Sequence, residues 1–378
     1  MKDLWVIKEQ GDEALLDEIR ELLGKDADAL LGEATMAVPK SLLTLPKPLG
    51  ELSGARAISH SSPDESLSEL FRTGNLKETG HLSIFPVDQG AEHGGGASFA
   101  TNPAYFDPGN LVKLAMEGGC NGIAAPFGVL RKARGDAADK LPFIVKLNHA
   151  DLLNSPVPDQ VLWASVAQAH DIGAKGVGLT IYYGSGEYAR RQITEAQAVI
   201  AEAHSTGLFV VIWAYVRNKA FKIKIGEGDD KKDVNFEVAA DLTGDAVHQA
   251  AMIGADIIKQ KLPEHNLPGM EHCVWPDTNQ KVGKFDPKAQ ELIGGTEIDW
   301  ARWQVLNAFA GKTPLINSGG DSGANDLAAV VCAAVINKRA GGTGLITGRK
   351  AFKRPMDEGI KILHAVQAVY ACPLIQVA

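Results

Sequence analysis

Eight short apolar runs, each ending in Gly, Pro or a polar residue and each followed by a helix-like segment, fill residues 81–378. The runs are apolar on both faces, as a parallel sheet covered by helices requires. No Gly-x-Gly-x-x-Gly opens a helix after the first run, which argues against an open dinucleotide-type sheet. Together these observations predict an α/β fold: a TIM (β/α)8 barrel with an N-terminal helical and loop extension.

Residues 1–80 form the extension. Asp12 to Gly32 carries Leu15, Leu16, Ile19, Leu22, Leu23, Leu30 and Leu31 at helical spacing. Pro39, Pro46 and Pro48 break that pattern, and a Ser/Asp/Pro stretch runs from Ser59 to Ser68. Short helices and loops packed on the main domain are expected. The barrel, residues 81–378, has its strands at Leu82–Val87, Gly122–Ala125, Phe143–Leu147, Gly176–Tyr182, Leu208–Tyr215, Ala255–Lys261, Pro314–Ile316 and Gly344–Thr347. Helices are expected over Pro158–Gly173, Glu187–Thr206, Ala239–Ile253, Ile298–Ala310, Ala324–Arg339 and Asp357–Ala371. The charged insertion from Arg217 to Phe236 reads as a solvated surface loop whose base can line the site. A second irregular stretch, Leu262 to Gly295, is expected as a lid over the barrel mouth.

Bulk composition excludes several classes. Of 378 residues, 38 are basic and 46 acidic, a net charge of −8, which argues against a nucleic-acid partner. Apolar residues make up 45% and charged residues 22%, so the chain is neither disordered nor fibrous. No apolar run is long enough for a membrane span, and the N-terminus has no signal core. Cys120, Cys273, Cys332 and Cys372 are widely spaced, with no metal-ligand pattern, so a reducing cytoplasm is expected. Cys120 and Cys332 read as core packing. The 40 glycines exceed the usual ~7% and call for tight turns or backbone close to a ligand.

The active site of such a barrel lies at the C-terminal ends of its strands. There the sequence places Asp88 and His93, Lys146 and His149, Tyr182, then Trp213, Tyr215 and Arg217, then Lys259 and Lys261, and finally Ser318-Gly319-Gly320 and Gly348-Arg349. In a strand of period two, Lys259 and Lys261 share a face and Gln260 takes the other. Burial and a like charge both lower a lysine pKa and free the amine as a nucleophile, for which a Schiff base with a carbonyl is the natural use. The alternative is an ion pair with Asp88 or Glu92, and spacing does not choose between the two lysines. The glycine-rich ends of strands seven and eight match the usual phosphate site of these barrels, with Arg349 adding charge-assisted hydrogen bonds. Tyr215 reads either as a proton carrier or as a packing aromatic. Glu92 and His93 have no third ligand at a recognisable spacing, so no metal site is expected.

Six segments carry a resemblance: Pro86-Val87-Asp88-Gln89-Gly90-Ala91-Glu92-His93, Pro142-Phe143-Ile144-Val145-Lys146-Leu147-Asn148-His149, Trp213-Ala214-Tyr215-Val216-Arg217-Asn218, Asp256-Ile257-Ile258-Lys259-Gln260-Lys261, Ile316-Asn317-Ser318-Gly319-Gly320 and Gly344-Leu345-Ile346-Thr347-Gly348-Arg349. In register from about residue 78 onward, they resemble the archaeal-type class I fructose-bisphosphate aldolases, in particular their bacterial members. Leu23-Gly24-Lys25-Asp26-Ala27-Asp28 of the extension resembles the bacterial members too. The resemblance implies a metal-independent lyase without cofactor. It would cleave fructose 1,6-bisphosphate reversibly to dihydroxyacetone phosphate and glyceraldehyde 3-phosphate. By position, Lys259 matches the Schiff-base lysine, Tyr215 the proton donor and acceptor, and Asp88 an aspartate near the substrate hydroxyls that assists proton transfer. Trp213 matches a pocket aromatic, while Ser318, Gly319, Gly320, Gly348 and Arg349 match the ketose 1-phosphate site. Lys146, Lys261 and Arg217 are carried as substrate-binding residues. The Arg217–Phe236 insertion is longer than the family pattern. The resemblance also implies a homo-oligomer with a phosphorylated sugar as its small-molecule partner. The alternatives are a transaldol or thiolase step on another phosphorylated ketone through the same lysine, and a non-catalytic sugar-phosphate sensor.

Overall fold

The computed structural model describes residues 1–48, 63–137, 139–154, 157–226, 231–265, 267 and 287–378. Eight parallel strands close into a barrel: β1 Leu82–Pro86, β2 Gly122–Pro126, β3 Phe143–Lys146, β4 Gly176–Tyr183, β5 Phe209–Val216, β6 Ile257–Gln260, β7 Leu315–Ser318 and β8 Gly344–Ile346. Each strand pairs with the next in sequence, and β8 closes on β1 with Leu82 opposite Gly344. The β-rich runs expected from the sequence are therefore the barrel staves, each within a residue or two of its expected bounds.

Alternation along the staves builds two apolar layers. Leu82, Ile84, Ala124, Ile144, Phe209, Val211, Ile257, Ile316 and Ile346 form one cluster, the interior filling. Outward-facing Phe85, Val145, Val210, Ile212 and Ile258 belong to the larger core beneath the helices. Burial on both faces is why these strands contain β-branched and aromatic residues with little polar alternation.

The helices Glu187–Ser205, Ala240–Met252, Glu297–Asn307, Asp326–Ala340 and Met356–Ala371 match expectation closely. Pro158–Gly173 does not. Val161–Leu162 pairs antiparallel with Asn148–His149, and Trp163 N–H donates to Leu147 O at 2.7 Å. Only Val166–Asp171 is helical, begun by a Ser165/Gln168 capping box. The Arg217–Phe236 insertion is also more ordered than a solvated loop: Lys222–Ile225 and Lys232–Asn235 form an antiparallel hairpin. The expected lid falls largely on residues 266 and 268–286, outside the described residues.

In the extension, helices Leu4–Gln10 and Asp12–Leu23 bury Leu4, Leu15, Ile19 and Leu23. They pack against the helices Met356–Ala371 and Asp326–Ala340 respectively. The helix Pro63–Phe71 inserts Leu70 and Phe71 into the barrel's interior cluster. Cys120 is buried, while Cys332 is only partly buried against the core. No helix among the described residues is long and apolar enough to cross a membrane.

Candidate active site

Above the apolar filling, the inward faces turn polar. Lys259 follows Ile257 on the inner face of β6, with Trp213 and Ile316 as its register partners. Its side chain is buried (7% exposed), and its Nζ donates to Tyr215 Oη while lying 4.4 Å from the centre of that ring. Burial lowers the Lys259 amine to about 7, and Lys261, Arg349 and Lys146 push the same way against the opposing pull of Asp88. Lys261, at the strand's exit, is less buried. Its amine is lowered too, chiefly by burial and then by Arg217. The lysine that touches the tyrosine is thus also the more deeply buried one.

A cavity of about 370 Å³ opens over this pair. Asp88, Trp213, Tyr215, Lys259, Lys261, Ser318, Gly319, Gly320, Gly348 and Arg349 all line it. Trp213 has room because β4 carries Gly178 beneath it, where an added Cβ would stand 2.5 Å from the indole. Gly178→Ala is expected to destabilise the protein by about 1–3 kcal/mol through overpacking, measured by denaturant unfolding, and to weaken substrate binding by displacing the indole.

The β7–β8 end of the cavity is suited to an anion. Ser318 Oγ and Thr347 Oγ1 are both buried without a hydrogen-bond partner among the described residues. Gly319 packs against Thr347, with an added Cβ 2.5 Å from Oγ1, and Gly348 packs against Pro86 O, 2.2 Å from an added Cβ. These two glycines are therefore required by strand packing as well as by any ligand. Gly320 takes φ +78°, which a side chain rarely adopts. Arg349 pairs with Asp321 at the rim. Behind them the buried Asp326 is bonded by Lys350 (3.1 Å), Arg354 (2.8 Å), Ser322 Oγ (2.7 Å) and Gly323 N–H (2.7 Å), which locks the two loops together.

Two expected substrate-binding cations lie elsewhere. Lys146, inward-facing and buried, is bonded to Glu92 Oε1 (2.8 Å), Asn148 O (2.7 Å) and His149 Nδ1 (3.4 Å). Burial disfavours the Glu92 charge, but Lys146 and His149 outweigh it and hold the carboxyl well below its usual range. His149 Nε2 lies 3.1 Å from Lys146 O, and its Nδ1 lies 3.7 Å from Glu92 Oε1. Arg217 lies across the rings of Tyr182 and Tyr215 and pairs with Glu237 at 3.3 Å. Neither cation lines the cavity.

Gln89, His93, Glu264 and Asp321 line the cavity without having been expected as substrate-binding residues. Gln89 and His93 were legible as polar neighbours of Asp88, and Asp321 as the residue after the glycine pair. Glu264 is not, because no periodicity places it; its backbone pairs with Ala239 and Val238.

Comparison with known proteins places this geometry in a family. The model of the DeoC/LacD family aldolases matches residues 82–354. A probable fructose-bisphosphate aldolase class 1 from Chlamydia trachomatis is 45% identical over 95% of this chain and 99% of its own. A Methanocaldococcus jannaschii protein, a fructose-bisphosphate aldolase/6-deoxy-5-ketofructose 1-phosphate synthase, is 29% identical over 78% of this chain and 82% of its own. An archaeal fructose-1,6-bisphosphate aldolase, solved with its catalytic lysine covalently bound to the carbinolamine intermediate, superposes with a TM-score of 0.58. That structure is 26% identical and covers 81% of this chain and 100% of its own. The chain belongs to the DeoC/LacD aldolase family and, within it, to the class I fructose-bisphosphate aldolases.

Proposed function

We propose that the protein is a class I aldolase that cleaves fructose 1,6-bisphosphate reversibly to dihydroxyacetone phosphate and glyceraldehyde 3-phosphate through a Schiff base on Lys259. The observation that carries this reading is the buried Lys259 amine in contact with Tyr215, inside a cavity with Asp88 on one wall and an anion-suited end on the other. An amine lowered to about 7 is roughly half neutral at pH 7, so it is nucleophilic without a separate base.

The neutral amine attacks the C2 carbonyl, and the carbinolamine loses water to give an iminium. The iminium takes up the electron pair of the C3–C4 bond as Asp88 accepts the C4 hydroxyl proton and the aldehyde departs. Tyr215 protonates C3 of the resulting enamine, and water hydrolyses the imine to release the ketone. Ser318, Gly319, Gly320, Gly348 and Arg349 bind the 1-phosphate and fix the carbonyl beside Lys259. Lys261, on the same face, adds positive charge for the substrate.

The test is aldol cleavage followed through a coupled enzyme, with and without EDTA. Cleavage of the bisphosphate at an unchanged rate in EDTA is expected, since the iminium supplies the electrophile. EDTA-sensitive cleavage, or none, overturns the reading. Imine formation should also quicken as pH rises through about 7, because the neutral amine is the nucleophile. Arg349→Ala should raise KM about 10- to 100-fold with a smaller change in kcat, as loss of a charge-assisted hydrogen bond predicts.

A further inference from the structure

Directly after the insertion that follows β5 lies a buried carboxylate for which the chemistry above has no use. Glu237 sits in the short 3-10 turn Phe236–Val238 at the foot of the hairpin, and only 5% of it is exposed. Asn218 N–H donates to its Oε1 at 3.1 Å, and its Oε2 lies 3.3 Å from both Arg217 Nη1 and Lys222 Nζ. A carboxylate this far from water is tolerated only with several compensating donors. Here the donors join the exit of β5 to the first strand of the hairpin.

Arg217 is fixed in turn. Its Nη1 donates to Val216 O at 2.7 Å, and its guanidinium carbon lies 5.0 Å from the Tyr182 ring centre and 5.2 Å from that of Tyr215. Tyr215 therefore meets a reactive amine, Lys259, and a second cation that takes no part in bond making. A tyrosine that gives up its proton in a buried site becomes an anion and needs a fixed positive charge nearby. Lys259 cannot supply that charge throughout, since its nitrogen is neutral before attack and in the enamine. Arginine stays charged at every working pH.

We propose that Glu237 and Arg217 are a positioning pair for the proton carrier: Glu237 holds the guanidinium across the Tyr215 ring, and that cation stabilises the tyrosinate each time the proton leaves. The proposal rests on the Schiff-base reading above and gives the insertion a task, to anchor the electrostatics of the site. The other titratable or charged groups around Tyr215 are Lys259 on β6, Tyr182 on β4, and Asp88, His93, Lys261, Glu264, Asp321 and Arg349, which line the same cavity. Burial and Glu92 push the Tyr182 phenol well up, so it stays protonated and does not compete for the cation.

The test compares R217M, R217K, E237Q and R217M/E237Q by the pH profile of kcat, the relevant limb being the one that Tyr215→Phe abolishes. R217M should lower kcat about 5- to 30-fold with little change in KM and move that limb upward by about 0.5 to 1.5 pH units. R217K, which keeps a charge, should leave the limb in place. E237Q should lower kcat alone but add less than about twofold in the R217M background, because both residues act through one contact. A limb unmoved in R217M, moved equally in R217K, or an E237Q effect that persists in R217M overturns the proposal. Should R217M not fold, R217Q replaces it with the same expectation. Borohydride trapping separates the two levels: an adduct on Lys259 with an unmoved limb overturns the positioning pair alone, whereas no adduct on Lys259 in the unsubstituted protein overturns the Schiff-base reading.

Discussion

Replacing Lys259 by methionine is expected to abolish cleavage, by at least ~10⁴-fold in kcat, because it removes the buried amine bonded to Tyr215 that forms the imine. Methionine nearly matches the lysine stem in volume and has no charge to desolvate. The barrel interior around Trp213 and Ile316 accepts it, and stability should be unchanged or slightly higher. Lys261→Met is the companion. Lys261 lies at the strand exit and lines the same cavity, but Lys259 is the lysine bonded to Tyr215, so loss of Lys261 should raise KM while covalent adduct formation continues. A Lys259→Met protein that retains turnover, with Lys261→Met dead, would reverse the assignment of the two lysines. A coupled cleavage assay and a thermal unfolding curve on both variants decide this.

Tyr215→Phe should slow turnover by ~10²–10⁴-fold while leaving covalent adduct formation intact. The substitution removes one oxygen and keeps the ring, so the Arg217 contact and the β4–β5 pairing of Tyr182 with Tyr215 survive. Proton transfer at C3 is lost. A protein that binds and condenses with dihydroxyacetone phosphate yet fails to exchange its C3 proton is the expected phenotype, read by deuterium incorporation in heavy water. Full exchange and full turnover in Tyr215→Phe would make Tyr215 a packing aromatic.

The barrel was legible because its staves are buried on both faces. A run such as Val210-Val211-Ile212 has no polar face to confuse the assignment. The inner-face pairing of Lys259 with Tyr215 follows from period two on neighbouring strands. What failed is what long-range contact decides. Val161, Leu162 and Trp163 fit a helical pattern, yet the bond from Trp163 N–H to Leu147 O draws them into strand pairing. The hairpin, by contrast, was visible in the alternation Lys222-Ile223-Lys224-Ile225, whose isoleucines are the half-buried positions. It was obscured by the charge run that follows.

Lys146 and Arg217 were placed correctly at strand ends, but their partners were invisible. Glu92 lies 54 residues from Lys146, and Glu237 lies 20 from Arg217 across the hairpin. A sequence shows that a cation sits at the barrel mouth, not whether a carboxylate has already met it. The glycine excess divides in the same way. Gly319, Gly344 and Gly348 are needed where β1, β7 and β8 approach too closely for a Cβ, with Leu82 O 2.0 Å from one added at Gly344. Closeness to a ligand is a second demand on two of these three positions, both of which line the cavity.

The Schiff base on Lys259 is tested most directly by incubating the protein with dihydroxyacetone phosphate and sodium borohydride, digesting it, and locating the adduct by mass spectrometry. One reduced adduct is expected, on Lys259, formed in EDTA and absent from Lys259→Met. An adduct on Lys261, or no covalent adduct in a protein that still cleaves fructose 1,6-bisphosphate, would contradict it.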